Sequence, residues 1–554
     1  MKLFKKLMSY FIALTMVLSL ATLLGGNVHA AEDTAQRYTL TINNTKAEHK
    51  YAVYKVFGGD LKDDGTTKTL SNVVWGNGVN ASDLLEALKK DSAFTKDSSN
   101  VFANATKAAD VAEILSQNYA GFDSAGAKAF AQDIGQHLGT ATTTVDSSAG
   151  KTIVPLTDPG YYFVKDNSAV TGHDATTRFI VQVVGPAEVT VKSSVPTVTK
   201  KVDDKNDSTG AEETLKDSAD YDIGDKVPYT ITGTLPSTYA DYNSYVYTFT
   251  DTMSKGLTYT ASTDTQKNYK VMLYTSASDT TGTDVTNAFS EDVKAVSSED
   301  EYNEGHKITW TCADLKANDL TKTATKDSKF VVTYKATLNG NAKVGSAGNP
   351  NKVDLTYSNN PNKRGEGETG KTPEDKNIVF TYAAKFNKVD GSNGNKPLAG
   401  ARFTLYKFTT KQIDDNNDAE GTYKNVNGYW HSFGEKEASQ QTDGYYTAYY
   451  KGLDDGVYKL VESHTPDGYN TMADKIFTVN ATHNDGDEPS FGGLTVDDLI
   501  TKPIDDGTFT SDIQNNSGSI LPSTGGMGTT LLYVAGGILV ACAAAYVVLN
   551  KKRA

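Results

Sequence analysis

Gly456-Val457-Tyr458-Lys459-Leu460-Val461-Glu462 decides how this chain is read. It is a short aromatic and β-branched run of the kind that forms a strand. A closely similar phrase, Gly160-Tyr161-Tyr162-Phe163-Val164, stands about 300 residues earlier. Around the later copy lie two more strand-like runs, Phe403-Thr404-Leu405-Tyr406-Lys407 and Lys475-Ile476-Phe477-Thr478-Val479. The recurrence points to tandem β-sandwiches of related type and to an all-β chain.

Working outward, the run belongs to a segment covering 377–518. Before it, 189–370 is almost entirely strand and turn. Val227–Gly233, Tyr245–Asp251, Leu257–Tyr259, Lys307–Thr311, Phe330–Leu338 and Val353–Tyr357 are separated by Gly, Asn, Asp or Ser clusters, the spacing of an antiparallel sandwich. A polar linker, Asn362–Lys376, closes it. The first segment, 31–188, opens on the alternating strand Tyr38–Ile42 and on Tyr51–Val56, and ends on strands at Gly160–Val164 and Arg178–Val184. Between them Ser82–Lys90, Lys107–Tyr119 and Ser124–Leu138 carry apolar residues at three- and four-residue spacing. A β-sandwich with a helical insertion is expected.

The two ends read as processing signals. Lys2, Lys5 and Lys6 precede an apolar stretch and the small-residue site Val28-His29-Ala30, the pattern of an export leader over 1–30. At the other end, 521–554, Leu521-Pro522-Ser523-Thr524-Gly525 precedes a 19-residue apolar run, Leu531–Leu549, and the basic tail Lys551-Lys552-Arg553. That run is long enough to cross a bilayer as a helix, and the tail would stay on the cytoplasmic side. The arrangement resembles the cell-wall sorting signal of Gram-positive surface proteins, which implies cleavage by a sortase between Thr524 and Gly525. The 554-residue chain carries a net charge of −14, which argues against a nucleic-acid partner. Its two cysteines are Cys312 and Cys542. The second lies in the membrane run, so the mature chain has no disulfide to stabilise it.

Phe386-Asn387-Lys388-Val389-Asp390, Pro397-Leu398-Ala399-Gly400-Ala401-Arg402-Phe403 and Tyr458-x-Leu460-x-Glu462-x-x-x-Pro466-x-Gly468-Tyr469 resemble the Cna-B-type immunoglobulin-like domain of Gram-positive adhesins and pilins. The resemblance implies a spontaneous isopeptide bond between Lys388 and Asn515, promoted by the acid Glu462; Asn516 is the alternative if the register slips by one. Burial would lower the lysine pKa and raise that of the acid, so a neutral amine could attack the amide carbonyl and release ammonia.

The second segment resembles the pilin middle domain at Pro196-Thr197-Val198-Thr199-Lys200-Lys201-Val202 and Leu355-Thr356-Tyr357-Ser358-Asn359-Asn360-Pro361. That implies a bond between Lys200, or Lys201, and Asn359, with Asp251 as the acid. No equivalent set is found in the first segment, where a bond is not expected. At the first junction stands Val189-Thr190-Val191-Lys192, where pilin shaft subunits carry Val-Tyr-Pro-Lys. The lysine is in place but Tyr-Pro is replaced by Thr-Val, and the resemblance implies that Lys192 attacks the sortase-bound Thr524 of the next copy.

The eight histidines are scattered, the acidic run Ile413–Asp418 lacks the spacing of a calcium loop, and no metal or cofactor site is expected. The resemblance implies the major shaft subunit of a covalently polymerised, wall-attached pilus, a sortase substrate and not an enzyme. Its expected partners are a pilus-type sortase, further copies of itself, accessory pilins and peptidoglycan. The alternatives are a monomeric wall-anchored adhesin for a host matrix ligand, or an accessory pilin.

Overall fold

The computed structural model describes residues 38–518, apart from 64–67, 120–124, 171, 192–193, 298–299 and 363–367. The leader, Lys192 and the tail with Leu521, Pro522, Ser523, Thr524 and Gly525 lie outside the described residues. Among the described residues no helix is long and apolar enough to cross a membrane.

The chain forms two compact units that interrupt one another in sequence. Unit 1 comprises Met1–Val202, Lys226–Thr337 and Pro350–Asn377; unit 2 comprises Asp203–Asp225, Leu338–Asn349 and Ile378–Ala554. The first sequence segment and most of the second thus fall in unit 1, while two pieces of the second join the third.

In unit 1, β1 (Tyr38–Asn43) lies between β7 (Ala187–Thr190) and β4 (Lys151–Leu156). A second sheet runs β3 (Lys68–Trp75), β2 (Lys50–Asp63), β5 (Gly160–Asp166), β6 (Arg178–Val183). Period-two alternation lets β5 serve two cores at once. Tyr162 and Val164 face Leu40, Ile42 and Val183, whereas Phe163 faces the opposite way. On that outer face lie α1 (Ala81–Lys90), α2 (Ala108–Asn118) and α3 (Ala125–Gln136), which bury Leu84, Leu88, Val111, Leu115, Phe130 and Ile134 against Phe57 and Phe163. The expected insertion is present, within one or two residues of its predicted helix ends.

The rest of unit 1 is a second sandwich. One sheet contains, in order, β8 (Val198–Asn206), β9 (Lys226–Thr234), β13 (Lys329–Leu338) and β11 (Tyr269–Tyr274). The other has β10 (Tyr247–Met253) between β14 (Asn349–Ser358) and β12 (His306–Cys312). Cys312 is buried as a free thiol.

In unit 2, β15 (Tyr382–Asp390) lies between β18 (Tyr446–Leu453) and β22 (Thr508–Asn515), antiparallel to the first and parallel to the second. The facing sheet runs β17 (Val426–Glu437), β16 (Arg402–Thr409), β19 (Gly456–His464), β20 (Lys475–Asn484), β21 (Ser490–Asp497). Phe386, Phe403, Leu405, Tyr458, Leu460, Phe477 and Phe509 fill the space between the sheets. All seven are inaccessible or nearly so. Phe386→Ala is expected to cost about 3–5 kcal/mol, read as a lower denaturant midpoint for unit 2. An unchanged midpoint would mean that Phe386 is not the centre of this core.

Candidate functional site

The unit 2 site follows from strand parity. Tyr458, Leu460 and Glu462 share the inward face of β19, so the same alternation that buries two apolar residues buries a carboxyl. Lys388 points inward from β15, opposite Ile513 of β22, and Asn515 lies two residues further along that same face. The three side chains meet. Lys388 Nζ lies 2.9 Å from Glu462 Oε1, with both side chains fully buried, and it donates to Asn515 Oδ1. Asn515 Nδ2 in turn donates to both Glu462 oxygens, at 2.9 and 3.0 Å. Asn516 is exposed, so the register that buries Asn515 excludes its neighbour.

The residues after Glu462 hold its carboxyl in place. Met472 N donates to Oε2 at 2.9 Å and Thr465 Oγ1 at 3.1 Å. Gly468 turns the connecting loop with φ +85°, a conformation that L side chains rarely adopt. Tyr469 then donates to Asp390 Oδ2 at 2.8 Å. Burial lowers the Lys388 pKa, with Glu462 pulling it back up. The Phe403 ring lies 5.4 Å from the ammonium.

In unit 1, Lys200 also points inward. Val198, Lys200 and Val202 are buried while Thr199 is exposed and Lys201 is half-buried on the other face of β8. Lys200 Nζ donates to Asp251 Oδ2 of the facing sheet and, at 2.7 Å, to the Tyr334 hydroxyl. The rings of Tyr229 and Tyr334 lie 4.6 and 5.1 Å from the amine. Burial moves the two groups in opposite directions, lowering Lys200 and raising Asp251, although each charge opposes the shift of the other. Both move towards the neutral pair.

Asn359 is not part of this site. Its Nδ2 donates to Val170 O at 3.4 Å and its backbone carbonyl accepts from Thr176 N at 2.9 Å, both in the first sandwich of unit 1. The amide beside Lys200 belongs to Asn351, eight residues earlier. Asn351 is fully buried on β14, diagonal to Asp251 across the β10–β14 pair, and its Nδ2 donates to the Tyr334 hydroxyl at 2.8 Å. Its Oδ1 is buried with no hydrogen-bond partner among the described residues. Neither Asn351 nor Tyr334 was singled out from sequence. The available signal was parity: Asn351, Val353, Leu355 and Tyr357 alternate inward along one strand.

A third buried lysine behaves differently. Lys407 Nζ donates to Asp454 Oδ1 and, at 2.7 Å, to Asp222 Oδ2, with Asp207 Oδ2 at 3.9 Å. Burial works against its charge, but the carboxylates outweigh it and raise the Lys407 pKa well above the usual value. This amine stays charged and is no nucleophile. Asp207, Asp222, Asp225 and Asp454 have oxygens within 4.8 Å of one another, close enough to share a cation, as do ligand atoms of Asp204, Asp220 and His483. In the first group Lys407 already supplies the positive charge. Scattered from 204 to 483, these side chains formed no pattern in sequence.

Two family models match, one over a region holding Asp251, Tyr334 and Asn351 and the other over a region holding Lys388 and Glu462. Residues 223–361 match the Gram-positive pilin backbone subunit 2, Cna-B-like domain, and residues 383–489 match the SpaA prealbumin-like fold domain. Two segments of the chain thus match domains of Gram-positive pilins. It is 29% identical over 333 residues to the trypsin-resistant surface T6 protein of Streptococcus pyogenes serotype M6, covering 58% of this chain. The chain spans about half, 51%, of that relative's length. Among solved structures, the T6 backbone pilin of serotype M6 Streptococcus pyogenes aligns with TM-score 0.46 at 19% identity, over 87% of this chain and 98% of that one. The major pilin SpaD of Corynebacterium diphtheriae aligns with TM-score 0.43 at 17% identity, over 89% and 100%.

The Lys407 cluster makes unit 2 sensitive to pH. Burial and neighbouring carboxylates push Asp225 up to about 7 from an ordinary 3.8. The folded state therefore keeps a proton that the unfolded chain has released, and stability falls as pH rises from about 4 to about 7. Hydrogen exchange of peptides within Asp203–Asp225 should be slower at pH 5 than at pH 8 after correction for intrinsic rates. Asp225→Asn should reduce that difference, with a remainder from Asp204, which burial also pushes up to about 7; an equal difference in the variant would refute the assignment.

Proposed function

We propose that this chain is the shaft subunit of a covalently polymerised surface pilus whose domains are closed by internal lysine–asparagine isopeptide bonds. The observation that carries the reading is the unit 2 site, where a buried amine, an acid and an amide converge at hydrogen-bond distance within a pilin-type domain. Lys388 Nζ attacks Asn515 Cγ, Glu462 holds and relays the protons, and ammonia leaves. The unit 1 counterpart joins Lys200 to Asn351, with Asp251 as the acid. No turnover is involved, because each chain reacts once with itself. Each bond closes a loop of more than 100 residues, for which chain entropy gives about 5 kcal/mol before strain. That contribution takes the place of the disulfide that the mature chain cannot form.

Polymerisation uses Lys192 at the first junction and the sorting motif near the tail. A pilus sortase cleaves Thr524–Gly525 and keeps the Thr524 carbonyl as a thioester; Lys192 of an incoming copy attacks it, forming an amide and freeing the sortase thiol. The last subunit passes to peptidoglycan, and accessory pilins join through the same chemistry. Export and retention at the cell surface follow from the leader and from the apolar tail before cleavage.

Intact mass of the secreted chain is expected to fall by about 17 Da, one ammonia, for each bond formed by a lysine nucleophile. Asn515→Ala and Glu462→Ala should each restore 17 Da. A wild-type mass with no deficit would overturn the cross-link reading. Cell-wall extracts should show a ladder on denaturing gels that collapses to monomer in Lys192→Ala. A single band from wild-type cells would exclude the shaft role and leave a monomeric adhesin.

A further inference from the structure

The two candidate sites differ at one point. In unit 2 the acid touches both reacting groups directly: Glu462 receives the Lys388 amine at 2.9 Å and the Asn515 amide at 2.9 and 3.0 Å. In unit 1 the acid is Asp251, one methylene shorter; it accepts from Lys200 directly, and the Tyr334 hydroxyl links it to the Asn351 amide. The Tyr334 hydroxyl is 2.7 Å from Lys200 Nζ, 2.9 Å from Asp251 Oδ2 and 2.8 Å from Asn351 Nδ2. The entering nitrogen, the acid and the leaving nitrogen all meet at this oxygen.

We propose that Tyr334 is a catalytic residue of the unit 1 cross-link, passing a proton from the attacking Lys200 amine to the departing Asn351 nitrogen. The proposal rests on the reading that Lys200 and Asn351 become joined. The step balances. As the Nζ–Cγ bond forms, Nζ gives a proton to the Tyr334 oxygen, and the tyrosine turns its own proton, which it donates to Asp251 Oδ2 before reaction, onto the now tetrahedral Nδ2. The Cγ–Nδ2 bond then breaks, ammonia leaves, and Tyr334 and Asp251 end as they began.

The surroundings suit this role. Tyr334 stacks on Tyr229 at 5.2 Å and is flanked by Trp310 at 5.1 Å and Tyr259 at 5.7 Å. That aromatic cage fixes the ring and excludes water. Burial and the nearby Asp251 carboxylate raise the phenol pKa well above its usual value, so the hydroxyl keeps its proton until a base takes it. Phenol is also both donor and acceptor, which a relay requires and which Phe at this position would lack.

The test is Tyr334→Phe in the full chain, sampled from the first minutes of synthesis, with the Lys200–Asn351 cross-linked peptide quantified by mass spectrometry. Loss of a positioned acid–base group is expected to slow this bond by about 100-fold, while the Lys388–Asn515 bond forms at the wild-type rate. Wild type should also react more slowly in D2O, and the variant should lose that sensitivity. Hydrogen-exchange protection of β10 and β13, unchanged from wild type, separates loss of chemistry from loss of fold. A variant that cross-links at the wild-type rate overturns the role of Tyr334. Absence of the peptide from wild type, but with the Lys388–Asn515 peptide present, overturns the Lys200–Asn351 reading and this proposal with it.

Discussion

Everything else in this structure depends on lysine amines placed where water cannot reach them. Taking a charged amine out of water is costly unless its charge is matched or lost. Among the described residues three lysines are fully buried, and their surroundings resolve that cost in two ways. Lys388 meets one carboxyl and one amide, Lys200 one carboxyl and one phenol, both beside aromatic rings, and burial drives their pKa values down. Lys407 sits among several aspartates that hold its charge in place. The number of carboxylates around the amine, set by which strand ends converge there, separates a reactive nitrogen from a structural cation.

The fold was legible because hydrophobic periodicity and turn residues act locally. The helical insertion shows three- and four-residue spacing, and α1, α2 and α3 lie within one or two residues of their sequence bounds. In unit 2 the site was legible too, since the Tyr458–Tyr469 phrase contains an inward carboxyl together with the loop that holds it. The unit 1 site was only half legible. Lys200 and Asp251 sit mid-strand, where parity assigns their faces. Asn351 directly follows Pro350, a residue that argues against a central strand, and lies before the expected strand Val353–Tyr357. The actual β14 starts at Asn349, which brings Asn351 inside the sandwich and leaves Asn359 past its far end. Tyr334 was hidden for another reason: nothing in a strand of alternating aromatic and β-branched residues marks which hydroxyl will find a lysine.

The Lys407 cluster was invisible for a third reason. Its acids come from Asp203–Asp225 and Asp454, separated by more than 200 residues, and they form a group only once the piece preceding β9 packs into unit 2. Long-range charge convergence of this kind has no local signature. It shows only when the segment boundaries of the sequence and the compact units of the structure fail to coincide.

The positions of the two lysine–amide pairs along the chain also decide how pulling on the two ends would be shared. With both bonds closed, residues 201–350 and 389–514 are shunted and feel no tension. Only the 36 residues between Asn351 and Lys388 remain in series within the paired region. Those residues include most of β14 and the start of β15, held by lateral hydrogen-bond ladders instead of covalent bonds. Fully extended they would span roughly 120 Å. Yielding would begin in this stretch, and because Val353, Leu355, Tyr357, Tyr382 and Phe386 are core residues, it would draw core strands out of both bonded sandwiches.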